Sequence, residues 1–408
     1  MTDADSTALE RDRAEALSRA VAPLEDELIT PALVIDLDAV EHNIAAMVQR
    51  AGSPQRWRPH LKTTKQAVVI SALIRAGLRH LKVATLDELE LVLRTGAAED
   101  VALDVLVAYP LQRAACRGAL ALAARWPEAQ IHVLADSPAH LEALAAWSGS
   151  DPLSVLLDVD LGMGRTGSAP DRWRALEATP EGLSLAGLHG YDGHHRWTHR
   201  EAAHAGYGQL CALAQAFLER PALRIQGAFE LLTSGTHSYA HALAYPGFAE
   251  SKEAPSPNPW LHRVSPGTIV FNDRRSKPAA EDLGLRQAAF VASRVISVGP
   301  GRATLDAGSK GVTPDADSRG SCAVLGHPAL SPRRASEEHL PLALPEPSLE
   351  SSLEFGALAW LVPDHVCTTV NLHREALWIR GDRLVGRGPI VSGHRPRAPL
   401  TEAQEARP

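Results

Sequence analysis

The chain has 408 residues, 45% of them hydrophobic, and a formal net charge of -7. That length and apolar content support a sizeable buried core in one large domain or two, and exclude a chain left unfolded for want of apolar side chains. Acidic and basic residues are interspersed without a continuous basic stripe, which excludes nucleic acid as the expected partner.

In chain order, the polar segment 1–27 lacks the apolar centre of a signal peptide and reads as an N-terminal extension. No later apolar run reaches the length of a bilayer span, so a cytoplasmic protein without a membrane partner is expected. A strand is expected at 32–36 (ALVID), and periodicity alone does not say which sheet it joins. From 57 to about 271, short β-branched and leucine-rich runs alternate with longer segments of helical period, the pattern of strand and crossover helix. Eight strands follow from it, at 57–61, 80–84, 103–107, 130–134, 154–158, 184–189, 228–232 and 267–271, and eight suggest a closed barrel. The segment 85–95 (TLDELELVLRT) opens with a threonine cap and an acidic first turn, then places Leu86, Leu89 and Leu93 on one side, as an outer helix requires.

Beyond residue 273 the character changes to short β-prone runs at 289–298, 302–306, 321–325 and 376–385, punctuated by Gly and Pro. The Pro-rich segments 254–260 and 327–347 read as long loops. The expected fold is therefore α/β, a (β/α)8 TIM-type barrel over 28–273 followed by a β-rich C-terminal domain over 274–395, with a frayed tail at 396–408. Four cysteines, Cys116, Cys211, Cys322 and Cys367, show no disulfide or zinc-ribbon spacing and suit a reducing compartment.

Five places carry candidate chemistry. Lys62, in RWRPHLKTTK (56–65), follows the first barrel strand, where a β/α barrel keeps its active face. Its amine could form a Schiff base with a carbonyl cofactor if burial or positive neighbours such as Arg56, Arg58 and His60 keep it neutral, while most lysines are simply solvated. Arg165, in the glycine-rich turn of LDVDLGMGRTG (157–167), could hold an anionic oxygen or merely cap the barrel rim. Ser234, Gly235 and Thr236 follow a late strand and could cradle a phosphate, although small-residue turns are common. His194, His195 and His199 follow the sixth strand and could transfer protons or form a polar lid. His365 and Cys367, two apart in VPDHVCTTVNLH (362–373), would share one face of a strand and could bind zinc, or be two core residues.

Taken in order, the runs TPALVIDLDAVEHNI (30–44), RPHLKTTK, DVDLGMGRTG, GLHGYDGHH (187–195), LDAGSKG (305–311), SEEH (336–339) and VPDHVCTTVNLH resemble the D-threonine aldolase and D-serine dehydratase family. That family has the alanine racemase-like fold of type III pyridoxal phosphate enzymes, and the resemblance spans residues 28 to 395. It implies Lys62 as the Schiff-base lysine, Arg165 on the cofactor's phenolic oxygen, and Tyr191 beside its ring. Ser234, Gly235 and Thr236 would bind the phosphate, and His365 and Cys367 a divalent metal, zinc first with manganese or magnesium as alternatives. It also implies a homodimer and places strand 32–36 in the β domain. Three positions depart from the family pattern: Thr64 stands where a second histidine is usual, His237 where a smaller residue is, and Ile269 where a tyrosine is frequent.

The activity implied is metal-assisted lysis of small β-hydroxy-D-amino acids. In a D-serine dehydratase-like reaction Lys62 removes the Cα proton and a keto acid and ammonia result. In a D-threonine aldolase-like reaction, with His194 or His195 as base, Cα–Cβ cleavage gives glycine and an aldehyde. The sulfur ligand leans toward dehydration, since family aldolases often carry aspartate there. An ordinary racemase is disfavoured because all five tyrosines precede the β domain that supplies its second acid/base. A noncatalytic pyridoxal phosphate carrier and a plain metallohydrolase barrel remain as rivals, the first without a β domain, the second without a cofactor-bound lysine.

Overall fold

The structure is a computed structural model describing residues 3–249, 259–318, 320–344 and 353–391. The expected tail at 396–408, and most of the Pro-rich segment at 254–260, lie outside the described residues. The chain divides into two compact units, one built on Val48–Lys62 and Leu73–Gly267, the other on Met1–Met47, Thr63–Ala72 and Thr268–Ser392.

The first unit carries a seven-stranded parallel sheet in sequence order. Its strands are β2 (His80–Val83), β3 (Asp104–Val107), β4 (Gln130–Ala135), β5 (Leu153–Asp158), β6 (Leu183–Gly190), β7 (Ile225–Thr233) and β8 (Trp260–Val264). The crossovers are α4 (Leu86–Ala98), α5 (Arg113–Arg125), α6 (Pro138–Ser148), the short α7 (Pro170–Arg174), α8 (Arg200–Leu218) and the short α9 (Tyr239–Leu243).

Two expectations need correction here. The first expected strand, 57–61, is present only as isolated bridges, Trp57 to Val264 on one side and His60 to Lys82 on the other. It still bonds to both neighbours, Arg58 N donating to Val264 O (2.9 Å) and Lys82 N to Pro59 O (3.0 Å), so it closes the ring between β8 and β2. Pro59 has no N–H to continue a ladder, which is why no regular strand forms. The last strand is Trp260–Val264 and not 267–271, which holds the 3-10 turn Thr268–Val270. An apolar run of that length cannot be told from a buried turn by periodicity.

The crossover helix at 85–95 forms as expected. The Thr85 side chain accepts from Glu88 N (3.2 Å), Glu88 Oε2 accepts from Ala84 N (2.7 Å), and Leu86, Leu89, Val92 and Leu93 are buried. The pair works in the manner of a capping box, with Glu88 reaching back to the N–H just before the cap. Inside the barrel, Leu106, Leu134, Leu156, Ala186 and Leu232 form one apolar layer.

The second unit is β-rich. Strand β1 (Ala32–Asp36) pairs antiparallel with β9 (Ala289–Gly299) and parallel with β15 (Glu375–Arg380), so the strand that periodicity could not assign sits in this sheet. The sheet continues through β10 (Arg302–Leu305), β11 (Cys322–Val324), β12 (Ser331–Pro332), β13 (Leu340–Ala343), β14 (Leu358–Pro363) and β16 (Arg383–Pro389). The run expected as one strand at 376–385 is a hairpin, because Gly381 takes φ +57° at the turn between β15 and β16. The segment 327–347 is not wholly loop, since β12 and β13 pair within it. Helix α1 (Asp3–Val21) occupies most of the N-terminal extension, burying Leu17, Ala20 and Val21 against Phe290, Trp360 and Leu377. Helices α2 (Leu37–Ala51) and α3 (Ala67–Arg75) follow β1 and the Lys62 turn, and α10 (Val366–Leu372) follows β14. No helix among the described residues is long and apolar enough to cross a membrane.

Candidate active site

In the barrel unit, Lys62 lies in the 3-10 turn Leu61–Thr63 that leaves the ring-closing segment, and it is exposed. The arginines expected beside it are committed elsewhere. The buried Arg58 donates to Glu230 through Nε (2.8 Å) and Nη2 (2.6 Å) and to Asp104 through Nη1 (2.8 Å), while Arg56 donates to Phe248 O (3.1 Å). Asp104 also approaches His80 Nδ1 (3.0 Å) and His132 Nε2 (3.1 Å), and Arg263 approaches Glu230 Oε2 (2.9 Å). These groups fill the barrel floor with a satisfied ionic network.

The amine that accompanies Lys62 is Lys82, on β2 and 2% exposed. Burial, then the charges of Lys62 and Arg58, pull its pKa down to about 7 against the opposing pull of Asp158. His60 is half-buried, and desolvation of its ring followed by the charges of Lys62 and Lys82 holds it well below the usual histidine range, so it is neutral. Its Nδ1 is buried with no hydrogen-bond partner.

The glycine-rich turn after β5 is set by its own backbone. Asp160 Oδ1 accepts from Gly162 N (2.9 Å) and Gly164 N (3.1 Å), and Gly167, at φ +89°, would place a Cβ 2.9 Å from Asp158 O. The turn delivers the Arg165 guanidinium to 4.7 Å from the Tyr191 ring centroid. On the ring's other neighbour, Gly235, a Cβ would lie 3.0 Å from Tyr191 Cε2. Ser234, at φ +62°, is fully buried and its Oγ has no hydrogen-bond partner among the described residues; Thr236 is buried as well. Thus Arg165, Tyr191 and Gly235, from separate runs of sequence, meet in one place, with Ser234 and Thr236 flanking Gly235 in the chain.

The histidine loop packs against the same turn. His194 Nε2 lies 3.6 Å from where a Gly162 side chain would begin, and the His194 and His195 rings are 3.9 Å apart. His195 is largely buried, which lowers its pKa, as does neighbouring His194, whereas His194 and His199 are exposed.

An aldehyde-bearing, anionic cofactor fits this set: an amine, a cation beside an aromatic ring, and an orphaned buried hydroxyl where an oxyanion would be received.

In the β-rich unit the two residues expected as metal ligands, His365 and Cys367, are brought together by a different element from the one expected. His365 is the N-cap of α10 and Cys367 lies in its first turn, so strand alternation does not apply; the helix start folds the two side chains into hydrogen-bond contact. Asp315 Oδ2 sits 2.6 Å from His365 Nδ1 and also accepts from Arg275 (3.0 Å). Burial alone would depress His365, but Cys367 and Asp315 push it up to about 9. Thr63 Oγ1 (3.1 Å) and Thr268 Oγ1 (3.5 Å) contact Cys367 Sγ. Among the described residues no group of three or more His, Cys, Asp and Glu has metal-binding geometry, so the pair offers two ligands. Imidazole plus thiol, with a carboxylate on the far ring nitrogen, fits zinc in an open site.

Lys82, Asp192 and Asp315 escaped the sequence reading. Only Lys82 left a signal, a charge inside the apolar strand HLKV. Asp192 and Asp315 are ordinary loop acids until folding brings hydroxyls and His365 to them.

Comparison with known proteins bears on the family and the fold. Residues 35–237 match the alanine racemase N-terminal domain, and residues 288–379 match the putative serine dehydratase domain. The chain belongs to the D-threonine aldolase and D-serine dehydratase family. Within that family it is 28% identical over 364 residues to D-threonine aldolase of Arthrobacter sp, covering 86% of this chain and 89% of that one. It is 32% identical over 171 residues to D-threo-3-hydroxyaspartate dehydratase of Delftia sp. (strain HT23), covering 40% of this chain and 43% of that one. The crystal structure of D-threonine aldolase from Filomicrobium marinum is similar with TM-score 0.71 at 25% identity, over 89% of this chain and 95% of that one.

Proposed function

We propose that the protein is a metal-assisted, pyridoxal phosphate-dependent lyase of β-hydroxy-D-amino acids, working as a D-serine dehydratase-type enzyme that yields a keto acid and ammonia. The coarser part, a pyridoxal phosphate-dependent lyase of D-amino acids, rests on family membership. The observation that carries the site is the meeting of Arg165, Tyr191 and Gly235, next in the chain to the buried Ser234 hydroxyl, in the barrel unit that presents Lys62.

Pyridoxal phosphate, when bound, supplies an electron sink for the bond broken at Cα. Lys62 Nζ would hold the cofactor and carry the Cα proton. Arg165 would face the phenolic oxygen, Tyr191 would pack on the ring, and Ser234, Gly235 and Thr236 would receive the phosphate. His365 and Cys367 would hold a divalent ion, zinc by their donor set with manganese or magnesium as alternatives. The ion would supply Lewis acidity toward a hydroxyl. Asp315, bonded at Nδ1, would fix the tautomer that leaves Nε2 of His365 for it.

The second reading is D-threonine aldolase-like cleavage with His194 or His195 moving the hydroxyl proton. It is supported by the long match to the Arthrobacter aldolase and by the closeness of His194 to the Arg165 turn. Product analysis with D-serine, D-threonine and 3-hydroxy-D-aspartate decides. Ammonia with a keto acid establishes dehydration, and glycine with an aldehyde or oxo acid establishes cleavage. No turnover of any of the three would replace both with a carrier.

A further inference from the structure

Lys82 is not accounted for by the functions above. It is buried in the wall of the barrel, a charge inside the apolar strand HLKV. Its Nζ stands 6.0 Å from the Tyr191 ring centroid, the same ring that carries the Arg165 guanidinium at 4.7 Å.

The charges around it do not balance. Lys62, Arg58 and Arg165 face it as cations, and His60, bridged to it across the ring-closing segment, is neutral. The carboxylate that opposes them is Asp158, already bonded to His189 at 2.7 Å; burial lowers the His189 pKa although Asp158 opposes that. A cation so placed either gives up its proton or waits for an anion that the polypeptide does not supply.

We propose that Lys82 is a second cationic contact of the barrel site and, with Arg165, binds an anionic oxygen of the ligand seated beside Tyr191. The inference rests on the functional reading above and extends it. The oxygen belongs to either the cofactor's phenolate or the substrate's carboxylate, and both chemistries ask the same of an ammonium.

The test compares wild type with Lys82→Met and Lys82→Arg. Pyridoxine 5'-phosphate, which has the phenolic oxygen but no aldehyde, is titrated into each apoprotein by calorimetry at pH 8 in two buffers of different ionisation enthalpy. If the phenolate is the partner, wild type takes up a proton on binding and Lys82→Met binds about tenfold or more weakly, with no uptake. Lys82→Arg, permanently charged, keeps most of the affinity without uptake. If the carboxylate is the partner, that binding is unchanged in Lys82→Met, while KM for the amino acid substrate rises about tenfold with kcat held. Unchanged binding and unchanged KM overturn the proposal. A thermal midpoint for Lys82→Met at or above wild type excludes misfolding as the cause, since the substitution removes an uncompensated buried cation. If wild type forms no borohydride-reducible adduct with pyridoxal phosphate, the functional reading falls and takes this inference with it. A normal adduct with an indifferent Lys82→Met sinks this inference alone.

Discussion

The Ser238 hydroxyl donates to Asp192 Oδ1 at 2.6 Å, tying the loop after β7 to the loop after β6. Tyr207 donates to the other oxygen at 2.5 Å, and Gly235 N donates to Ser238 Oγ at 3.3 Å. Asp192 thus fixes the backbone of the Ser234–Gly235–Thr236 turn without standing in it. Asp192→Ala strands two hydroxyls and is expected to cost about 2–3 kcal/mol in urea denaturation. Cofactor affinity is expected to drop about tenfold with it, and Asp192→Asn to recover part of both.

Lys62→Ala is expected to abolish the visible absorbance that pyridoxal phosphate gives wild type, and borohydride treatment should then leave no labelled peptide spanning residue 62. Retention of the same band in the variant would remove Lys62 from its proposed role.

Glu230 lies between Arg58 and Arg263 and is 4% exposed. Burial would raise its pKa, but Arg58 and then Arg263 bring it down to about 2 from an ordinary 4.5. The carboxylate's stabilisation is therefore complete above pH 4.5 and is lost as pH falls toward 2. Glu230→Gln removes the carboxylate shared by the buried Arg58 and Arg263, leaving Asp104 as the remaining partner of Arg58, and is expected to destabilise by about 3 kcal/mol. Denaturation midpoints followed from neutral pH to pH 3 should fall less steeply in the variant than in wild type.

Thr85→Ala removes one half of the capping box on α4. About 1 kcal/mol of stability should go, with cofactor absorbance untouched, as circular dichroism melts alongside spectra will show.

Chelation, or His365→Ala, or Cys367→Ser, is expected to eliminate turnover of β-hydroxy-D-amino acids while the cofactor's absorbance stays. Metal analysis should find about one equivalent of ion in wild type and none in the double variant. Full activity in metal-free protein would sink the metal-assisted mechanism.

The barrel was legible because a crossover fold writes itself as alternation, and α4 shows how far that goes: cap, acidic turn and buried leucines all appear where the sequence has them. Its last strand was misassigned because 260–264 and 267–271 are both short apolar runs, and only the hydrogen bonds of Trp260–Val264 to β7 choose between them. His365 and Cys367 were found by residue type, but the geometry expected for them was that of a strand. The helix start that brings them together left no periodic mark in seven residues.

Residue chemistry alone determined which side chains could bind an aldehyde, a phosphate or a metal, because those capacities belong to amines, hydroxyls, thiols and imidazoles wherever they stand. Tertiary structure decided which charges are spent and which are spare. Arg58, four residues before Lys62, is consumed by Glu230 and Asp104, while Lys82, twenty residues after it, is buried among further cations. Burial and ion pairing depend on what the fold brings into contact across long separations, and no local pattern of residues encodes that.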